Sequence, residues 1–73
     1  MATSAIRNTI RTLRFLNGEM TQQALADHVG VTRQTIHAIE AAKYSPSLEL
    51  AFRIAAVFDA PLEEVFQYTP EES

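Results

Sequence analysis

The chain has 73 residues, 47% of them hydrophobic, with six Lys plus Arg against nine Asp plus Glu, a formal charge of −3, and no Cys. One small domain spanning residues 1–73 is all that fits, and so short a chain hides only about 60% of the surface its unfolded form exposes, so a partner subunit would help to stabilise it. Disulfide scaffolds, cysteine zinc sites and thiol nucleophiles are excluded, no run nears the roughly 20 apolar residues of a membrane span, and Met1 to Ser4 is too short and polar to begin a signal peptide, which together suggest a cytoplasmic protein.

The punctuation divides the chain into short helical stretches, with no strand pattern and no repeat, so the expected fold is all-α. Ile6, Ile10 and Leu13 follow i, i+4, i+7 spacing, with Leu16 one turn further. This predicts a first helix from between Ser4 and Asn8 to Leu16 or Asn17, ended by Asn17-Gly18. Thr21 is the N-cap candidate of a second helix over Gln22 to His28 or Val29, with Leu25 and Val29 inward, Asp27 and His28 outward, and Gly30 as its stop. Thr32 can cap a third helix from Arg33 to about Ala41, in which Ile36 and Ile39 share one face and Arg33, Gln34 and His37 the other. Tyr44-Ser45-Pro46 interrupts the pattern. Ser47 then caps a fourth helix whose Leu48, Ala51, Ile54, Ala55 and Phe58 form a broad apolar stripe. Pro61 suits the first position of a short fifth helix, in which Glu63 and Glu64 complement the dipole and Leu62, Val65 and Phe66 face inward. The polar segment Pro70-Glu71-Glu72-Ser73 is expected to be a frayed tail.

The informative stretch is Gln22 to Glu40, QQALADHVGVTRQTIHAIE, which looks like a helix-turn-helix. That motif needs two helices crossing at about 90–120° through a short turn. Ala26 is small where the second helix crosses the first. Gly30 stands where a left-handed backbone is required, and glycine adopts it without a Cβ clash. Leu25, Val29, Val31, Ile36 and Ile39 fill the angle between the helices.

From about Asn8 to Tyr68 the chain resembles the small, stand-alone Cro/cI-type (XRE family) helix-turn-helix regulators, on TQQALADHVGVTRQTIHAIE, then KYSPSLELAFRIA, then a short helix ending in LEEVF. The resemblance implies the lambda-repressor-like fold of five short helices. It further implies that the helix Arg33–Ala41 enters the DNA major groove, that Gln22 hydrogen-bonds a phosphate, and that Arg14 pairs with Glu40. Three departures stand out. Ala41-Ala42 replaces the Asn-Gly that often follows the Glu, so either the turn differs or an alanine at positive φ is accepted at a cost of roughly 1 kcal/mol. Asp59 replaces the usual Gly after the fourth helix and tolerates left-handed geometry better than most residues. Glu19 lengthens the first loop by one residue.

The donor inventory agrees with groove reading. Arg can donate twice to guanine O6 and N7, and Gln can pair with adenine N6 and N7, which makes Arg33 and Gln34 the candidate base readers. Thr32 and His37 lie beside them as further base-edge candidates, whereas Thr35 and Lys43 are better placed for phosphates. The net charge, taken whole, opposes a nucleic-acid ligand. Divided by position, residues 1–43 hold five basic groups against three acidic, or +2, and residues 44–73 hold one against six, or −5, so the basic half carries the motif. His28 and His37 are nine residues apart on different helices without completing ligands, so no metal site is expected. Ser and Thr fall at helix caps, so no catalytic arrangement, cofactor or small-molecule substrate is expected either.

These readings lead to a sequence-specific DNA-binding regulator, a repressor acting as a homodimer on a roughly palindromic operator with half-sites about 34 Å apart. Phe15, Tyr44, Phe52 and Tyr68 have no definite core place; ordinary or partly exposed packing accounts for them, or else a dimer contact through Phe66, Tyr68 and the last helix. The alternative function is an antitoxin-like or other protein-interaction module that also or instead binds a partner protein.

Overall fold

The computed structural model describes residues 5–68. The expected tail from Pro70 to Ser73 lies outside the described residues. In chain order the elements are β1 (Ile6–Asn8), α1 (Ile10–Leu16), α2 (Gln22–Val29), α3 (Arg33–Glu40), α4 (Leu48–Val57), α5 (Leu62–Val65) and β2 (Phe66–Tyr68). The five helices are those expected. Three are capped by a side chain at the residue the sequence proposes: Thr21 Oγ1 accepts from Ala24 N at 2.9 Å, Thr32 Oγ1 from Thr35 N at 3.2 Å, and Ser47 Oγ from Leu50 N at 3.1 Å. Each satisfies one of the amide donors that a helix start leaves without an internal partner. Gly30, at φ 79° and ψ 33°, turns the chain from α2 toward α3.

The two strands were not anticipated, and they correct the start of the first helix. Ile6–Asn8 pairs antiparallel with Phe66–Tyr68 in the register Ile6↔Tyr68, Arg7↔Gln67 and Asn8↔Phe66. Helical spacing of Ile6 and Ile10 is a local signal, whereas the ladder partner of β1 lies at the other end of the chain, beyond the reach of any local window. The helix instead begins at Ile10, whose amide donates to Asn8 Oδ1 at 3.2 Å. Thr9 makes no side-chain cap. Its hydroxyl donates to the Glu64 carbonyl at 2.6 Å and its amide to the Val65 carbonyl at 2.9 Å, extending the clasp between the two ends. Pro61 likewise sits one place earlier than expected, at the N-cap of α5 with ψ 154°.

One core joins the helices: Ile10, Leu25, Ala26, Val29, Ile36, Ile39, Ile54, Ala55, Phe58 and Val65 are buried together. Two residues expected on inward faces are instead exposed, Leu16 at 69% and Leu48 at 68%. With α1 in phase on the fully buried Ile10, Leu16 lies about 120° round the helix from it, because successive i+3 steps drift from the 3.6-residue repeat. Leu48 opens α4 at the margin of its stripe and borders a shallow apolar groove with Ile6, Pro46, Ala51, Leu62 and Phe66.

After α3 the backbone accepts the strain: Ala42 stands at φ 60°. Its amide donates to the Ile39 carbonyl at 2.9 Å and the Lys43 amide to the Ala38 carbonyl at 3.0 Å, the paired closure of a Schellman turn. The same closure ends α4, with Asp59 at φ 53° and the Ala60 amide donating to the Ala55 carbonyl at 3.1 Å. No helix among the described residues is long and apolar enough to cross a membrane.

Candidate nucleic-acid interface

The geometry of α3 follows from its period. Ile36 and Ile39 are spaced to share one face, and that face is driven into the core, leaving them 0% and 1% exposed. The opposite face is left to solvent and carries Arg33, Gln34 and His37, all exposed, with Thr32 exposed at the N-cap. Five donor-bearing or amphoteric groups therefore gather on the outer face and leading end of one two-turn helix, counting Thr35, which is half-buried. Thr32 and Thr35 are not idle: their hydroxyls lie 3.0 Å apart and share a hydrogen bond, while Thr32 also caps the helix. Lys43 is exposed just beyond the Ala42 turn.

Behind this surface an ion pair locks three elements together. Arg14 on α1 grips Glu40 at the end of α3 through two parallel hydrogen bonds, Nε to Oε2 at 2.7 Å and Nη2 to Oε1 at 3.1 Å. Such a fork is the strongest geometry available to the pair. The third nitrogen, Nη1, donates to the Met20 carbonyl at 2.7 Å, and the Gln22 amide at the start of α2 donates to Glu40 Oε1 at 3.1 Å. The two charged side chains are only 14% and 10% exposed. Among the described residues no buried side-chain N or O atom lacks a hydrogen-bond partner, so the desolvation of this pair is compensated by contacts.

Gln22, Arg33, His37 and Glu40 meet Arg11 and Arg14 around an open cleft of ≈ 540 Å³ between α1 and α3. Glu40 neutralises Arg14, so the positive character of the cleft rests on Arg11 and Arg33. Arg11 was missed by sequence reasoning. Its signal was available, since Arg11 and Arg14 are three residues apart and so are neighbours on the surface of α1. The structure thus brings together Arg33, His37, Gln22, Arg14 and Glu40, whereas Phe66 and Tyr68 stand apart on β2, half-buried and 71% exposed respectively.

Chemically, the cleft and the outer face of α3 offer guanidinium, amide, imidazole and hydroxyl donors on a rigid, capped helix. That is a set suited to phosphate oxygens and base edges.

Comparison with known proteins agrees with this geometry. The model of the helix-turn-helix family matches residues 10–65. An uncharacterized HTH-type transcriptional regulator of Methanocaldococcus jannaschii is 46% identical over 67 residues, covering 92% of this chain and 100% of the relative. A second, from Archaeoglobus fulgidus, is 49% identical over 67 residues, covering 92% of this chain and 94% of the relative. A Bacteroides fragilis protein of known crystal structure superposes with a TM-score of 0.72 at 21% identity, over 85% of this chain and 98% of the other, a likeness of fold.

Proposed function

The chain belongs to the XRE-type helix-turn-helix family, and from that premise we propose that it is a DNA-binding transcriptional regulator in which α3 reads the major groove. The observation that carries this reading is the division of α3 into a face sunk in the core through Ile36 and Ile39 and a face of exposed donors. In this reading Arg33 and Gln34 contact base edges, with Thr32 and His37 beside them, and Gln22, Thr35 and Lys43 hold phosphates. Gln22 is hydrogen-bonded to Glu40 and an amide nitrogen carries two hydrogens, so its second remains available to a phosphate oxygen.

The protein acts as a homodimer on a roughly palindromic operator, because one subunit with so few basic groups gathers too few phosphate contacts for tight binding. The exposed side chains of Leu48, Phe52 and Tyr68, with the neighbouring Phe66, supply an apolar face for that dimer. Occupation of a promoter then represses by excluding RNA polymerase, in the cytoplasm, and needs neither enzymatic chemistry nor a cofactor.

The direct test is to select bound duplexes from random DNA and compare the recovered sequence with its scrambled version in a gel-shift titration. Tight retention of the selected duplex alone is expected. Equal affinity for both would overturn sequence-specific reading.

A further inference from the structure

Asn8 is where the two ends of the chain and the candidate recognition helix converge. Its side-chain Nδ2 donates to the Ile39 carbonyl on α3 at 2.8 Å, and its Oδ1 accepts from the Ile10 amide at the start of α1 at 3.2 Å. Turning the amide over would set NH₂ against N–H and oxygen against oxygen, so the two bonds together dictate its orientation. Asn8 is itself held, since it pairs with Phe66 in the ribbon and the following residue, Thr9, is bonded to Glu64 and Val65.

The carbonyl it grips is a sensitive one. Ile39 belongs to the last turn of α3, and its carbonyl also accepts from the Ala42 amide at 2.9 Å, in a turn that depends on Ala42 at φ 60°. A Cβ disfavours that conformation, so the turn gains from a hold outside itself. Asn8 provides one at Ile39, and Arg14 provides another at the next residue, Glu40. Two adjacent ties, one on the backbone and one on a side chain, fix the end of a helix in both rotation and translation.

We propose that Asn8 is a positioning residue for DNA reading: its amide transmits the closed terminal ribbon to the end of α3 and so sets the attitude of Arg33, Gln34 and Lys43. The proposal rests on the major-groove reading above. Base-edge contacts tolerate displacements of only about 0.5 Å, so losing one of the two ties at the end of this two-turn helix is enough to disturb its reading face.

Asn8→Ser separates the two bonds of the side chain. A serine hydroxyl can still accept from the Ile10 amide but is too short to span to the Ile39 carbonyl, and it adds no charge. In the free protein the Ala42 and Lys43 amides should exchange with solvent about tenfold faster, with Gly30 and Val31 unchanged. Anisotropy titration of the duplex recovered by selection, at a temperature where the variant is fully folded, should show binding about three- to tenfold weaker. Adding Ala42→Gly should return the melting temperature to that of the parent while leaving the affinity low; this double variant also serves if Asn8→Ser alone does not fold. Unchanged exchange and affinity in the folded variant, or affinity that recovers in step with melting temperature, would overturn the proposal. If the parent protein does not prefer the selected duplex to its scrambled version, the functional reading fails instead, and the Ala42 and Lys43 exchange rates alone then decide whether Asn8 controls the turn.

Discussion

Replacing Arg14 by Ala removes more than a surface charge. It deletes both hydrogen bonds to Glu40 and the one to the Met20 carbonyl, and leaves Glu40, 10% exposed, with a single bond from Gln22. Breaking a buried pair by removing one partner costs about 3–5 kcal/mol, and the open cleft beside this one lets water relieve part of it, so about 3 kcal/mol is expected. A domain of this size has a total stability of about 4–11 kcal/mol. The loss should therefore be plain in a thermal melt followed by circular dichroism, as a drop of about 12–24 °C at about 4–8 °C per kcal/mol. Urea titration supplies the free energy independently. The double variant Arg14→Ala/Glu40→Ala leaves no orphaned charge, so it should be more stable than the sum of the single losses implies, with a coupling energy of about 1–3 kcal/mol. A single variant that melts within two or three degrees of the parent, or a strictly additive cycle, would refute the view that this pair ties α1 to α3.

Other expectations concern the interface and the turns. Arg33→Ala and Gln34→Ala should each weaken operator binding by about 1–3 kcal/mol and flatten the preference at one base position, as read by repeating the selection with each variant. By contrast, Gln22→Ala and Arg11→Ala should weaken all duplexes alike, and Arg11→Ala should reduce the slope of log affinity against log salt by about one; a change in base preference would show that either residue had been misassigned. Ala42→Gly should raise stability by about 1 kcal/mol in denaturant, since φ 60° costs a Cβ more than it costs glycine; no gain would mean that the turn is not strained. Sedimentation equilibrium should detect dimer at high micromolar concentration and a shift toward monomer in Tyr68→Asp, a substitution at a 71% exposed side chain; monomer throughout in the parent would remove the dimer.

The motif and its caps were legible without coordinates because they are local. Thr21, Gly30, Thr32 and Ser47 act on backbone groups three or four residues away, and the buried faces of α2 and α3 follow a 3.6-residue period. The partition of charge was equally readable, and it removed the objection that a total of −3 raised. Resemblance supplied the Arg14–Glu40 pairing, because nothing in a window of a dozen residues links positions 26 apart.

Tertiary structure decided the rest. Ile6 fits the helical spacing of α1 yet lies in a strand, because pairing with Tyr68 from the far end of the chain outweighs the weak preference of three residues for a helix. That pairing makes Asn8 available to Ile39, 31 residues away, and no composition or period encodes such a meeting. The exposure of Leu48 and the choice of a strained Ala42 over a different turn were likewise settled by how the helices dock. Local backbone chemistry therefore determined which helices form and which faces they bury, whereas the position of α3 relative to α1 and the chain ends arises from long-range hydrogen bonds that exist only once the core has closed.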